Sequence, residues 1–154
     1  MAEAQQFCTF YLDGHYFGVE VEKVQEVRMY QEMTPVPLAP PVLKGLINLR
    51  GQIVSAIDLR RRLAFRERDK SELPMNVVVR TEEGVVALLV DEIGDVLEFK
   101  EESFEQLPET LSGVARDMIT GLHKLKDSLM LILDTEKATH VFASSGSKNE
   151  KRKQ

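Results

Sequence analysis

Two blocks of this chain occur twice, in the same order, and that repeat limits what it can fold into. Gly45-Leu46-Ile47-Asn48-Leu49-Arg50 resembles Gly121-Leu122-His123-Lys124-Leu125-Lys126, and Ile53–Asp58 resembles Leu129–Asp134 in the same register. The glycine, two leucines and the closing aspartate are identical, and Arg50 meets Lys126. Upstream, Val21–Val27 (VEKVQEV) resembles Val90–Val96 (VDEIGDV) at nearly the same separation. Each half then holds about five short strands and one or two short helices, too little for an independent core of any size. Small, strongly twisted sheets of this length close into barrels to remove their edges. The expected fold is all-β, mainly strands with short helices: two tandem five-stranded β-barrel subdomains that share a hydrophobic core. The domain is expected over residues 1–142, with subdomain 1 at about 15–70 and subdomain 2 at about 75–135. The N-terminal strand and a C-terminal helix at Thr135–Phe142 pack across both, and residues 143–154 form a disordered tail.

The local signals fit short strands. Gly45–Leu63 (GLINLRGQIVSAIDLRRRL) reads as strand, tight turn at Arg50-Gly51-Gln52, strand, and then Asp58 capping a short helix. Asp13-Gly14 marks a hairpin between Phe7–Leu12 and Tyr16–Val21, and Thr81–Gly84 marks another between Met75–Arg80 and Val85–Val90. Val21, Val24 and Val27 allow one short helical turn, with a strand expected over Val27–Met33. Pro35, Pro37, Pro40 and Pro41 force an extended connection before Gly45.

Charge is divided along the chain. Lys44–Lys70 carries eight basic residues against Asp58, Glu67 and Asp69, whereas Glu82–Glu109 carries ten acidic residues against Lys100. Opposed faces suit protein partners better than nucleic acid. The group Arg60, Arg61, Arg62, Arg66 and Arg68 lacks interleaved aromatics, which argues against nucleic-acid binding. The N-terminus reads as neither signal peptide nor membrane span, so a cytoplasmic location is expected, without direct membrane insertion. The single cysteine, Cys8, sits in an apolar run and reads as a small hydrophobe.

Catalytic signatures are missing from the sequence. His15, His123 and His140 have no partner at metal-ligand spacing, and no glycine loop ends in the lysine that a phosphate cradle needs. No serine stands in a nucleophile elbow. Adjacent acids such as Asp91 and Glu92 point apart and do not share a site. The expected class is a non-catalytic binding module with no cofactor and no metal.

The NLRG turn with the following IDLR helix start resembles the CheW family of bacterial chemotaxis coupling proteins. Phe10-x-Leu12, Gly18-Val19, Val24-Gln25-Glu26-Val27 and Ala87-Leu88-Leu89-Val90-Asp91 fit the same pattern, and the likeness covers about residues 7–142. The family often has proline where Ser55 stands; serine there restores a backbone donor. The resemblance implies two SH3-like β-barrels and a non-catalytic adaptor. Its implied partners are the regulatory domain of the histidine kinase CheA and the cytoplasmic tip of methyl-accepting chemoreceptors, so the chain is expected at membrane-associated receptor arrays. The alternative is an SH3-like adaptor in a parallel, non-chemotaxis chemosensory complex or another signalling complex. The family's receptor-binding glutamate and arginine match Glu26 and Arg50, and the two are expected to pair. Cys8, Val21, Val24, Ile93 and Val96 are expected to line an apolar trough beside them for a receptor helix. Met29, Tyr30 and Met33 are the expected kinase contacts. The basic tail residues Lys148, Lys151, Arg152 and Lys153 offer at most weak attraction to a membrane surface.

Overall fold

The computed structural model describes residues 4–110 and 113–140; the expected tail lies outside them, as does the end of the expected C-terminal helix. Eleven strands are described: β1 (Ala4–Leu12), β2 (His15–Glu20), β3 (Val24–Arg28), β4 (Leu43–Leu49), β5 (Gln52–Asp58), β6 (Met75–Thr81), β7 (Gly84–Val90), β8 (Glu92–Lys100), β9 (Phe104–Glu105), β10 (Ile119–Lys124) and β11 (Leu129–Leu133). Two short helices, α1 (Leu59–Arg62) and α2 (Thr135–Thr139), follow β5 and β11. Among the described residues no helix is long and apolar enough to cross a membrane.

Turn chemistry sets the hairpins. Asp13 and Gly14 take φ of 49° and 80°, and Arg50 and Gly51 take 52° and 90°, with Leu12 opposite His15 and Leu49 opposite Gln52. Positive φ at both central residues is the twist-matched two-residue turn. Both aspartate caps form: the Asp58 side chain accepts from the Arg61 amide at 3.4 Å, and Asp134 accepts from the Lys137 amide at 3.1 Å. The strand expected over Val27–Met33 instead covers Val24–Arg28 and follows a 3-10 turn at Val21–Lys23.

The strands form two mixed sheets, ordered β8-β1-β2-β11-β10-β9 and β3-β6-β7-β5-β4. Matching β1, β2 and β3 to β6, β7 and β8, and β4 and β5 to β10 and β11, makes the two orders the same apart from β9. Each sheet therefore takes its leading hairpin from one repeat and its remaining strands from the other. Strand membership does not follow a split near residue 70, since β6 and β7 lie between β3 and β5. Each sheet has one parallel pair, β5 with β7 and β11 with β2, and the others are antiparallel. Ser55 sits mid-strand between Leu46 of β4 and Val86 of β7.

The expected closure into five-stranded barrels does not occur: each sheet ends on strands that are not paired to each other. The prolines explain the gap in the second sheet. The connection from β3 to β4 adds only one bridge, in which the Thr34 amide donates to Leu46 O at 2.9 Å and the Leu46 amide returns to Thr34 O at 2.8 Å. Pro35 follows at once, and a proline run cannot supply the donors of a ladder. The edges are protected in other ways. Two-residue β9 shields β10, and β8 carries Glu92, Asp95, Glu98 and Lys100 together with a bulge opposite Cys8 and Phe10.

Between the sheets lies one core. Phe10, Leu12 and Phe17 from one sheet meet Ile57, Val77, Val79, Leu88 and Val90 from the other, with Leu59 and Ala138 from the two helices. Alternation gives each sheet a second, smaller cluster on its far face: Ile47, Val54, Val78 and Leu89 on one, and Phe7, Met130 and Ile132 on the other.

A buried ionic cluster ties the seam. Asp91, between β7 and β8, accepts from Arg60 Nε at 3.0 Å and Nη2 at 2.5 Å, from Arg68 Nε at 3.0 Å and Nη2 at 2.8 Å, and from the Asp13 amide at 2.7 Å. The side chains of Arg60, Arg68 and Asp91 are 7%, 10% and 15% exposed. Burial alone raises the Asp91 pKa, but the donors, Arg60 foremost, outweigh it and hold the carboxyl below its ordinary value. A depressed folded-state pKa contributes stability that is present above the unfolded value and lost as pH falls through the folded one. Asp91→Asn leaves two buried guanidiniums short of their partner and is expected to cost about 3 kcal/mol in urea unfolding at pH 7. The gap to the unsubstituted protein should narrow as pH falls from the ordinary aspartate value of 3.8 through the lower folded-state value of Asp91.

Candidate functional site

The opposite edges of the five-stranded sheet come together at the β4–β5 turn, where side chains bridge what the backbone leaves open. A bulge between Val24 and Glu26 interrupts the pairing of β3 with β6, and such a bulge re-aims the side chain that follows it. Glu26 meets the turn: Arg50 Nη2 donates to Oε2 at 2.5 Å and Nη1 to Oε1 at 3.2 Å. This is a two-point guanidinium–carboxylate pair, the geometry that favours arginine over lysine. Arg28 Nη1 lies 3.4 Å from the same Oε1. Arg50 remains mostly exposed, at 65% of its side chain, against 21% for Glu26. The pairing expected between these two residues is present.

Two further side chains hold the turn. Asn48 Oδ1 accepts from the Gly51 amide at 2.7 Å, and Gln31 Nε2 donates to the Asn48 carbonyl at 2.8 Å. Gln31 comes from the connection after β3, so it ties the same two edges that Glu26 and Arg50 do. The sequence carried one signal for the Asn48 contact, an asparagine before a turn, and none for Gln31.

The apolar candidates are less concentrated. Cys8 on β1 is half-buried and faces Val19 of β2 and Val96 of β8. Val96 is 57% exposed. Val24 and Ile93, equivalent positions of the repeat, both pack onto the shared core, so little of either is offered to a partner. Val21 lines an open cleft of about 410 Å³ together with Gln5, Gln6, Glu20, Glu22 and Glu98. That cleft is polar and contains none of the other four apolar candidates.

Of the expected kinase contacts, Met29 is 77% exposed and Tyr30 is 37% exposed. Met33 packs partly against the cluster of Ile47, Val54 and Leu89. Tyr30 and Met33 both line a second cleft, of about 370 Å³, beside Lys44, Leu73 and Pro74. Sequence reading passed over two exposed apolar residues near the turn, Val27 on β3 and Ile53 at the start of β5. Strand alternation was the available signal for Val27, because its neighbours in β3 face the other way.

Among the described residues no group of three or more His, Cys, Asp or Glu side chains is placed to hold a metal ion. His123 is buried and stacked on Phe99 at 4.5 Å, with Nδ1 2.8 Å from Ser103 Oγ. Ser103 gives its own proton to the Lys100 carbonyl, so the histidine is the donor to it. Burial lowers the His123 pKa and keeps the ring neutral.

The CheW-like domain model matches residues 6–142. The chain is 35% identical over 133 residues to the "Chemotaxis protein CheW" of Klebsiella aerogenes, covering 86% of this chain and 80% of that one. It is 30% identical over 133 residues to the "Chemotaxis protein CheW" of Bacillus subtilis, covering 84% and 83%. The crystal structure of the scaffolding protein TtCheW from Thermoanaerobacter tengcongensis superposes with a TM-score of 0.82 at 27% identity, covering 90% of this chain and 94% of that one.

The Arg50 pair holds the Glu26 carboxyl at about 2, the hydrogen bond from Arg50 being the largest cause. Stability from this pair is present above the ordinary glutamate value of 4.5 and lost as pH falls toward 2. In an NMR titration of side-chain carboxyl carbons, Arg50→Ala is expected to move Glu26 upward toward 4.5; an unmoved Glu26 would mean that other donors hold it.

Proposed function

Since the chain belongs to the CheW-like domain family, whose members are non-catalytic adaptors of chemotaxis signalling, we propose that it couples transmembrane chemoreceptors to the histidine kinase CheA through two separate surfaces. The first surface takes the cytoplasmic tip of a chemoreceptor, at the turn carrying Arg50 beside Glu26, with Cys8, Val21 and Val96 and the exposed edges of Val24 and Ile93 supplying apolar contact. The second surface takes the regulatory domain of CheA through Met29 and Tyr30, with Met33 behind them. The adaptor works in the cytoplasm, at receptor arrays on the membrane.

One observation carries the receptor surface. Glu26 and Arg50 come from opposite edges of a sheet, yet form a two-point pair with the guanidinium mostly in solvent. An arginine fixed by one carboxylate and still exposed can meet an acceptor on a helix tip without first being ordered, which lowers the cost of binding. Met29 supports the kinase surface, being a long apolar side chain held in water on the segment just after β3.

The test uses purified protein with receptor-bearing membranes and CheA, followed by kinase autophosphorylation. Arg50→Ala is expected to weaken receptor binding roughly tenfold or more and to reduce kinase activation, with CheA binding within about twofold of the parent. Val96→Asp, at a position too exposed to unfold the chain, should act in the same direction. Met29→Asp combined with Tyr30→Asp should do the reverse, losing CheA and keeping the receptor. Receptor affinity within about twofold of the parent for both Arg50→Ala and Val96→Asp would remove the receptor surface from this face. Kinase activity unchanged by the protein would point to a different signalling complex.

A further inference from the structure

We propose that Asn48 and Gln31 are positioning residues for Arg50, fixing the β4–β5 turn so that the guanidinium lies on Glu26 rather than sweeping through solvent. The inference about geometry stands on the structure; its effect on receptor binding rests on the receptor role given to Arg50 above.

The turn needs outside help. Its first central residue must take φ above zero, a region where asparagine, aspartate and glycine are at home, and Arg50 occupies it at 52°. Two hydrogen bonds meet that need. Asn48 Oδ1 closes on the Gly51 amide at 2.7 Å, and Gln31 Nε2 reaches the Asn48 carbonyl at 2.8 Å from the other edge of the sheet. The equivalent hairpin of the repeat lacks both contacts. Lys124 stands where Asn48 would, with its Nζ 3.0 Å from Glu105, and neither Lys126 nor Asp127 has positive φ. With no positive φ at its centre, that turn has no need of the brace. The brace occurs in the copy whose tip carries Arg50.

The brace matters because no other donor replaces Arg50 on Glu26. Arg28 offers one contact, 3.4 Å from Oε1, against the two-point pair that is lost when a loosened turn lets Arg50 swing free. Free rotation costs Arg50 the ordering that binding would otherwise find in place.

The experiment compares Asn48→Ala, Gln31→Ala and Asn48→Asp in the full chain. The aspartate keeps an acceptor for the Gly51 amide. Three quantities are read: the Glu26 titration by NMR, affinity for a receptor-tip fragment, and affinity for CheA. In the two alanine variants Glu26 is expected to titrate upward from about 2 toward 4.5. Receptor affinity should fall roughly three- to tenfold, with CheA affinity unchanged. Asn48→Asp should restore both the titration and the affinity. A Glu26 titration that stays at about 2 in Asn48→Ala and Gln31→Ala overturns the proposal, as does failure of Asn48→Asp to restore it. A shifted titration with unchanged receptor affinity upholds the positioning and overturns the receptor role of Arg50 instead, so the two failures are separable.

Discussion

The apolar layer between the two sheets is the constraint on which the rest depends. Phe10, Leu12 and Phe17 cannot leave water unless Val77, Val79, Leu88 and Val90 are opposite them, and the reverse holds equally. Each sheet also keeps a smaller cluster on its far face, but Phe7, Met130 and Ile132 alone are far too few to hold six strands. The short helices serve the same layer, since Leu59 and Ala138 reach into it from α1 and α2. Arg62 then joins the helices directly, donating to the Ala138 carbonyl at 2.9 Å and the Lys137 carbonyl at 3.0 Å. Cations suit the carbonyl end of a helix, so an arginine is well chosen there.

Local chemistry was legible and long-range pairing was not. Asp13-Gly14 and Arg50-Gly51 announce their turns because few residues accept positive φ, and Asp58 and Asp134 announce their helices because free amides need an acceptor. The repeat was equally readable, and the sheets obey it. What a repeat does not say is which copy of each hairpin pairs with which, because both pairings satisfy the same alternation. Closure failed for a related reason: edge protection can be met by charge, a bulge or a two-residue strand as well as by a barrel. Arg60 and Arg68 look like solvated charges in sequence, and their partner Asp91 lies 31 and 23 positions away, beyond any local pattern.

The candidate site gains its character from that open edge. A closed barrel would bury the ends of β3 and β4 in backbone pairing. Here the gap is spanned by Glu26, Arg50, Gln31 and Asn48, so polar side chains stand where a ladder would have run. The sequence supplied the two charged residues through the family pattern and missed the two amides, which act through the backbone. Val24 and Ile93 divide their surface between core and solvent: both are half-buried and pack against the shared core, which spacing along the sequence does not reveal.

The exchange of leading hairpins sets an order on biosynthesis. β1 and β2 emerge first from the ribosome, yet β1 pairs with β8, Cys8 lying against Val96, and β2 pairs with β11, Phe17 lying against Leu131. The first hairpin must therefore wait, with Phe10 and Phe17 unsheltered, until nearly the whole domain has been made. The five-stranded sheet can assemble sooner, because β3 to β7 are contiguous in the chain. Contacts this distant in sequence place the domain among slow folders, and an early aromatic hairpin without its partner is the species most exposed to aggregation. The same wiring has a benefit once folding is complete. Neither end of the domain can peel away without breaking a sheet shared with the other end.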